Sequence, residues 1–169
     1  MKIFFIIAQI FGVFALITVC YSLTKNNKKS LLKYQLISNL FYAIQYLFLE
    51  AYTGFATHIM CVVRNYAYSK YENGKVPLNI LIAIICSLCL LSIWGYDGPS
   101  SLLPSLGVII FSFALWQKNM TIARIGEVTG VLLCIIYNFI VKAYSGNISM
   151  FIELTMVLIA IYRFDIKKQ

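Results

Sequence analysis

The sequence predicts an all-α membrane protein of seven transmembrane helices, arranged as two parallel three-helix repeats joined by a connector helix (3+1+3). Three observations carry that expectation. Hydrophobic residues make up 61% of the 169 and charged residues only 12%, with a mean hydropathy of +0.83; soluble domains carry about 25% charged residues. The apolar stretches are long and continuous, which favours helices over the short alternating segments of a closed barrel. The basic residues fall between those stretches on alternate sides, where membrane insertion places them.

The first helix is expected over 3–23. Its apolar run is too long for a secretory signal and no small-x-small site ends it. Lys25, Lys28 and Lys29 follow, as they would at the cytoplasmic flank of a retained helix. Helices two (31–51) and three (52–71) meet in a tight break near Thr53–Gly54. The turn Glu72–Pro77 precedes helix four (77–94), and Gly95–Pro99 precedes helix five (101–117). Helix six (119–143) is separated from helix seven (146–164) by a break at Ser145–Gly146. Each segment approaches the roughly 20 residues needed to cross a bilayer. Trp94 and Trp116 read as interfacial anchors.

Charge gives the orientation. One side carries Lys25, Lys28, Lys29, Lys33, Lys70, Lys75, Lys118, Arg124, Arg163, Lys167 and Lys168, eleven of the fourteen basic residues. The other side carries Lys2 and Lys142, with Glu50 and Asp97, while Arg64 lies within a helix. The rich side is expected to be cytoplasmic, which puts the N-terminus outside and the C-terminus inside. Because the basic residues form no stripe on a soluble face, the net charge of +8 does not imply nucleic acid.

The chain also resembles itself. Residues 33–54 fall on 125–146 under a shift of 92 positions, with Gln35 landing on Glu127 and Ala51–Gly54 on Ala143–Gly146. Gly12–Val13 matches Gly107–Val108 when the first loop is allowed three extra residues. Repeat one is thus 3–71, the connector 77–94 and repeat two 101–164. Three helices are an odd number, so a connector is needed for the second repeat to enter the membrane in the same sense, about an axis along the membrane normal.

Leu102–Gly107, Ala114-Leu115-Trp116, Arg124, Tyr137-Asn138 and Tyr162-Arg163-Phe164, with Ala8–Val13, resemble the YgjV family of bacterial inner-membrane proteins. The likeness runs over nearly the full chain. It implies a multi-pass protein of the bacterial inner membrane and names no reaction. The 3+1+3 arrangement is also similar to that of SWEET and PnuC facilitators, and to that of KDEL receptors, which do not transport.

Ionisable groups inside a bilayer are costly and are candidates for function. Arg64 lies about 18 Å from the outer end of helix three and Glu127 about 12 Å from the inner end of helix six. In a core of about 30 Å those depths coincide, so the two could pair across the repeats. The alternative is that Arg64 snorkels to cytoplasmic phosphates. His58 and Glu153 both lie about 9–11 Å from the outer end. His58 is either structural or, beside Glu153, a proton relay. Helical spacing adds Gln35, Ser38, Asn39, Tyr42 and Gln45 on helix two; Thr57, Cys61 and Tyr68 beside Arg64; Gly130, Cys134 and Asn138 beside Glu127; and Ser149 and Met156 beside Glu153. These stripes either line a polar cavity or bond helices together. The candidate solute-binding set is Gln35, Asn39, Tyr42, His58, Arg64, Glu127, Asn138 and Glu153.

Catalytic residues, metal ligands and cofactors are not expected. Cys20, Cys61, Cys86, Cys89 and Cys134 all fall in apolar segments, and Cys86-x-x-Cys89 lacks a second ligand pair. Gly126-x-x-x-Gly130 reads as a close-packing motif. The expected function is a facilitator of a small polar solute (a sugar, vitamin or amino acid) working by alternating access between the repeats. The alternatives are a receptor or accessory subunit and, with least support, an intramembrane enzyme. The expected partners are the bilayer, the solute and, as an open option, further copies of the chain.

Overall fold

The computed structural model describes residues 2–71, 76–140 and 144–167. Among them the chain forms seven α-helices and no strand: α1 (Lys2–Leu23), α2 (Lys28–Phe48), α3 (Tyr52–Ser69), α4 (Leu78–Trp94), α5 (Leu102–Trp116), α6 (Met120–Ile140) and α7 (Tyr144–Ile161). A 3₁₀ turn, Pro99–Ser101, leads into α5, and a π turn, Tyr162–Ile166, follows α7. The helices gather into two compact units, Met1–Glu72 and Asn73–Gln169.

By length and composition, four helical stretches are able to cross a membrane: Ile3–Leu23, Pro99–Trp116, Met120–Ile140 and Asn147–Ile166. α4 is apolar but shorter. α2 and α3 fall outside that group because they carry polar stripes as well as apolar faces.

Several boundaries differ from the sequence expectation for identifiable reasons. α2 begins at Lys28 rather than 31, because the Asn27 side chain accepts hydrogen bonds from the backbone of Lys29 (2.8 Å) and Ser30 (3.2 Å). Such an N-cap contributes about 1 kcal/mol. α2 stops at Phe48 rather than 51. Glu50 takes a left-handed φ of 58°, Ala51 N–H donates to Tyr46 O, and Glu50 N–H donates to Leu47 O. That pair of bonds closes the helix and turns the chain directly into α3. Pro104 lies at the third position of α5, in the first turn, where a missing N–H costs little. The break expected at Ser145–Gly146 instead falls in the first turn of α7. Residues 72–75 of the expected turn, together with Lys142 and Lys168, lie outside the described residues.

In the first unit α2 packs against both α1 and α3. α1 and α2 run antiparallel, since Phe4 stacks on Phe48, Phe14 meets Phe41, and Tyr21 meets Tyr34 edge-on at 4.7 Å. Between the aromatic pairs the seam is built of small residues. Ala8, Ala15 and Ser22 are fully buried, and Ser38 Oγ donates to Ala15 O at 2.8 Å. Small residues let helix backbones approach, and a hydroxyl reaching a neighbour's carbonyl adds a bond that lipid cannot replace.

In the second unit α6 packs against α5 and α7, and α4 packs on α5. α5 and α6 cross where Gly107 faces Gly130. A Cβ on Gly107 would stand 3.0 Å from Gly130 O, and one on Gly130 would stand 3.2 Å from Gly107 O. A Cβ on Gly126 would overlap the Ala114 methyl. Gly126-x-x-x-Gly130 is thus the close-packing face of α6. Trp116 Nε1 donates to Val76 O at 2.7 Å, which ties the end of α5 to the chain entering α4.

Candidate functional site

The first unit holds the denser group of buried polar side chains. Gln35, Ser38, Arg64 and Asn65 are all buried, Arg64 and Gln35 at 2% exposure each. They belong to α2 and α3, which face one another. Asn39, Tyr42 and His58 are half-buried and come together directly: His58 Nδ1 and Asn39 Oδ1 are 2.8 Å apart. Both Tyr42 and Tyr46 stack on the imidazole, with centroids 5.0 and 5.2 Å away and planes within 28° and 16° of it. Asn39 Nδ2 donates in turn to Gln35 O at 2.7 Å. About three turns of α2 and two of α3 therefore build one polar cluster in an otherwise apolar unit.

Arg64 extends it. Its Nε donates to Asn65 Oδ1 at 3.1 Å, and His58, Cys61 and Tyr68 lie within its electrostatic reach. A guanidinium only 2% exposed is not the exposed head group that snorkelling requires. Asn65 was not singled out in the sequence. It is fully buried, and its Nδ2 has no hydrogen-bond partner among the described residues. The cue available to sequence reasoning was its position immediately after the intramembrane arginine.

In the second unit Glu127 is buried at 4% exposure, whereas Asn138 and Glu153 are half-buried. Gln35 and Glu127, which coincide under the shift of 92 positions, are thus both buried, one on α2 and the other on α6. Glu153 of α7 lies within electrostatic reach of Cys134 of α6. Asn147 is also buried, with neither amide atom hydrogen-bonded among the described residues.

A second cluster was missed altogether. Arg124 Nη1 lies 2.8 Å from each carboxylate oxygen of Asp165, and Thr121 Oγ1 donates to Asp165 Oδ1 at 2.7 Å. The Phe164 ring sits under the Arg124 guanidinium at 4.9 Å, with Arg163 at 5.1 Å. The π turn Tyr162–Ile166 makes this possible, by carrying Asp165 back toward α6. In the sequence Arg124 is a flanking charge and part of the family resemblance; its partner lies 41 residues away, beyond any local periodicity.

Elsewhere the described residues offer little chemistry. No three His, Cys, Asp or Glu side chains converge among them. Cys86 and Cys89 are exposed and free. A hollow of about 320 Å³ lies on α1 beside Phe5, Gln9, Ile10 and Val13, away from the polar cluster and on a face rich in exposed apolar side chains.

The family model Imp-YgjV, described as a bacterial inner membrane protein, matches residues 6–168. Neither a search of curated proteins nor one of solved structures finds a match.

Proposed function

The chain belongs to the Imp-YgjV family of bacterial inner membrane proteins, and from that premise we propose that it is a facilitator of a small polar solute. The observation that supports this reading most is the polar cluster on α2 and α3. Burying Gln35, Ser38, Arg64 and Asn65 in a protein otherwise this apolar is costly unless the groups serve a solute or one another. Single hydrogen bonds between membrane helices average only about 0.6 kcal/mol, too little to account for a buried arginine. Gln35, Asn39, Tyr42, His58 and Arg64 are the proposed solute contacts of the first repeat, and Glu127, Asn138 and Glu153 those of the second.

The 3+1+3 reading is part of this proposal. It rests on the shift of 92 positions and on the charge alternation, which also put the N-terminus outside and the C-terminus in the cytoplasm. The resemblance to SWEET and PnuC facilitators is architectural, and architecture alone does not carry function. The solute class is a sugar, vitamin or amino acid. The reading includes no reaction and no nucleic acid, and leaves a homo-oligomer open. The near-complete burial of Arg64 and Asn65 supports a second reading, a receptor or accessory subunit that closes on its ligand and does not move it.

Purified chain in lipid vesicles provides the test. We expect uptake of at least one of glucose, nicotinamide or glycine, reduced tenfold or more by Arg64→Gln and by Asn39→Leu. Thermal stabilisation by a panel member without flux would select the receptor reading. Absence of both uptake and stabilisation across the panel would overturn both.

A further inference from the structure

His58 is the single histidine of the chain, and the structure fixes how its ring is held. Asn39 Nδ2 donates to the Gln35 carbonyl at 2.7 Å. Reversing that amide would press its oxygen against another oxygen, so the orientation is determined. Asn39 Oδ1 therefore faces His58 Nδ1 at 2.8 Å, and a carbonyl oxygen only accepts. Nδ1 must carry the proton. Tyr42 and Tyr46 stack on the ring, and Nε2 makes no hydrogen bond among the described residues. In the neutral imidazole, Nε2 then holds a lone pair and no proton.

We propose that His58 Nε2 is a hydrogen-bond acceptor for the solute, so that the solute class is one presenting an O–H or N–H donor to it. The inference rests on the solute-binding reading above and narrows it. A solute bearing only acceptors, such as a carboxylate anion, finds no partner on this ring. Tyr42 and Tyr46 serve as positioning residues: they hold the imidazole plane while Asn39 sets its tautomer. His58 also differs here from a proton relay beside a carboxylate, because its Nδ1 proton is committed to an amide that does not titrate.

A single histidine gives one pair of ring signals in the ¹⁵N spectrum of the histidine-labelled full chain. At pH 8 an ordinary histidine is neutral. We expect a protonated Nδ1 and a bare Nε2, with the Nε2 signal moved by whichever of glucose, nicotinamide or glycine is taken up, and not by acetate. His58→Phe keeps the stacking and removes the acceptor, and is expected to weaken that solute's binding about tenfold. A ring protonated on Nε2, or an Nε2 signal indifferent to all three donors, overturns the inference. The two claims separate cleanly. Uptake with an indifferent Nε2 removes this inference and leaves transport standing. A responsive Nε2 without uptake removes transport and leaves the donor-selective site.

Discussion

Asp165→Leu is expected to destabilise the chain by about 3–5 kcal/mol, the cost of leaving a buried ion without its partner. Arg124 is 1% exposed and Asp165 12%, so little water can replace the lost carboxylate. The substitution also removes the acceptor of Thr121 and frees the π turn that the pair holds. In micelles this should lower the thermal midpoint by on the order of 10 °C, at about 2–4 °C per kcal/mol for a chain of this size. Arg124→Met should do similar harm. Combining Arg124→Met with Asp165→Leu should recover most of the loss, since an apolar pair of similar volume can replace a buried ion pair. A single Asp165→Leu chain within about 0.5 kcal/mol of the parent, the range of an ordinary surface substitution, would show that the pair is not holding the second unit.

Gly126→Ala carries the second large effect. The added methyl would occupy the place of the Ala114 methyl, and neither carbon can rotate away because both are fixed to helix backbones. α5 and α6 must then separate, and they cannot do so without opening the Gly107–Gly130 crossing nearby. Overpacking of this kind costs about 1–3 kcal/mol. The compensating change is specific: Ala114→Gly returns the space, so the double variant should regain most of the parent's thermal midpoint. If Gly126→Ala is neutral in the same assay, the tight α5–α6 contact is not the one described.

These two effects also show what the sequence could and could not reveal. The seven helices were legible because apolar runs and turn residues alternate along the chain, and Gly126-x-x-x-Gly130 was legible because its spacing alone sets one face. Ala114 belongs to the family resemblance, but nothing local in the sequence says that a methyl must stop there. The Arg124–Asp165 pair escaped because it depends on a π turn and on a partner 41 residues along the chain. Several residues that carry the family resemblance (Gly107, Ala114, Trp116, Arg124 and Phe164) turn out to hold the second unit together.

Depth arithmetic had a similar limit. It places groups along the membrane normal but does not say which way each helix face turns. Depth alone offers Glu153 as a neighbour for His58 and says nothing of Asn39, which its Nδ1 meets, or of Tyr42 and Tyr46, which stack on its ring. The polar stripe on helix two did contain Asn39 and Tyr42, so the residues were identified while their geometry was not. Asn65 was hidden for the reverse reason: it lies beside the charge that drew attention and shares its burial.

The central claim is that the buried polar side of α2 faces a path for solute while its apolar side faces lipid. Thiol accessibility measures this directly. In a chain whose five cysteines are replaced by alanine, one cysteine is placed at Gln35, which is buried, or at Leu40, which is exposed. A small charged thiol reagent is then applied to vesicles from both sides. The account predicts that position 35 reacts, more slowly when the transported solute is present, and that position 40 does not, because lipid covers it. Reaction at 40 with none at 35 would mean that α2 turns its apolar face to water and its polar face to a sealed core, and the claim would be lost.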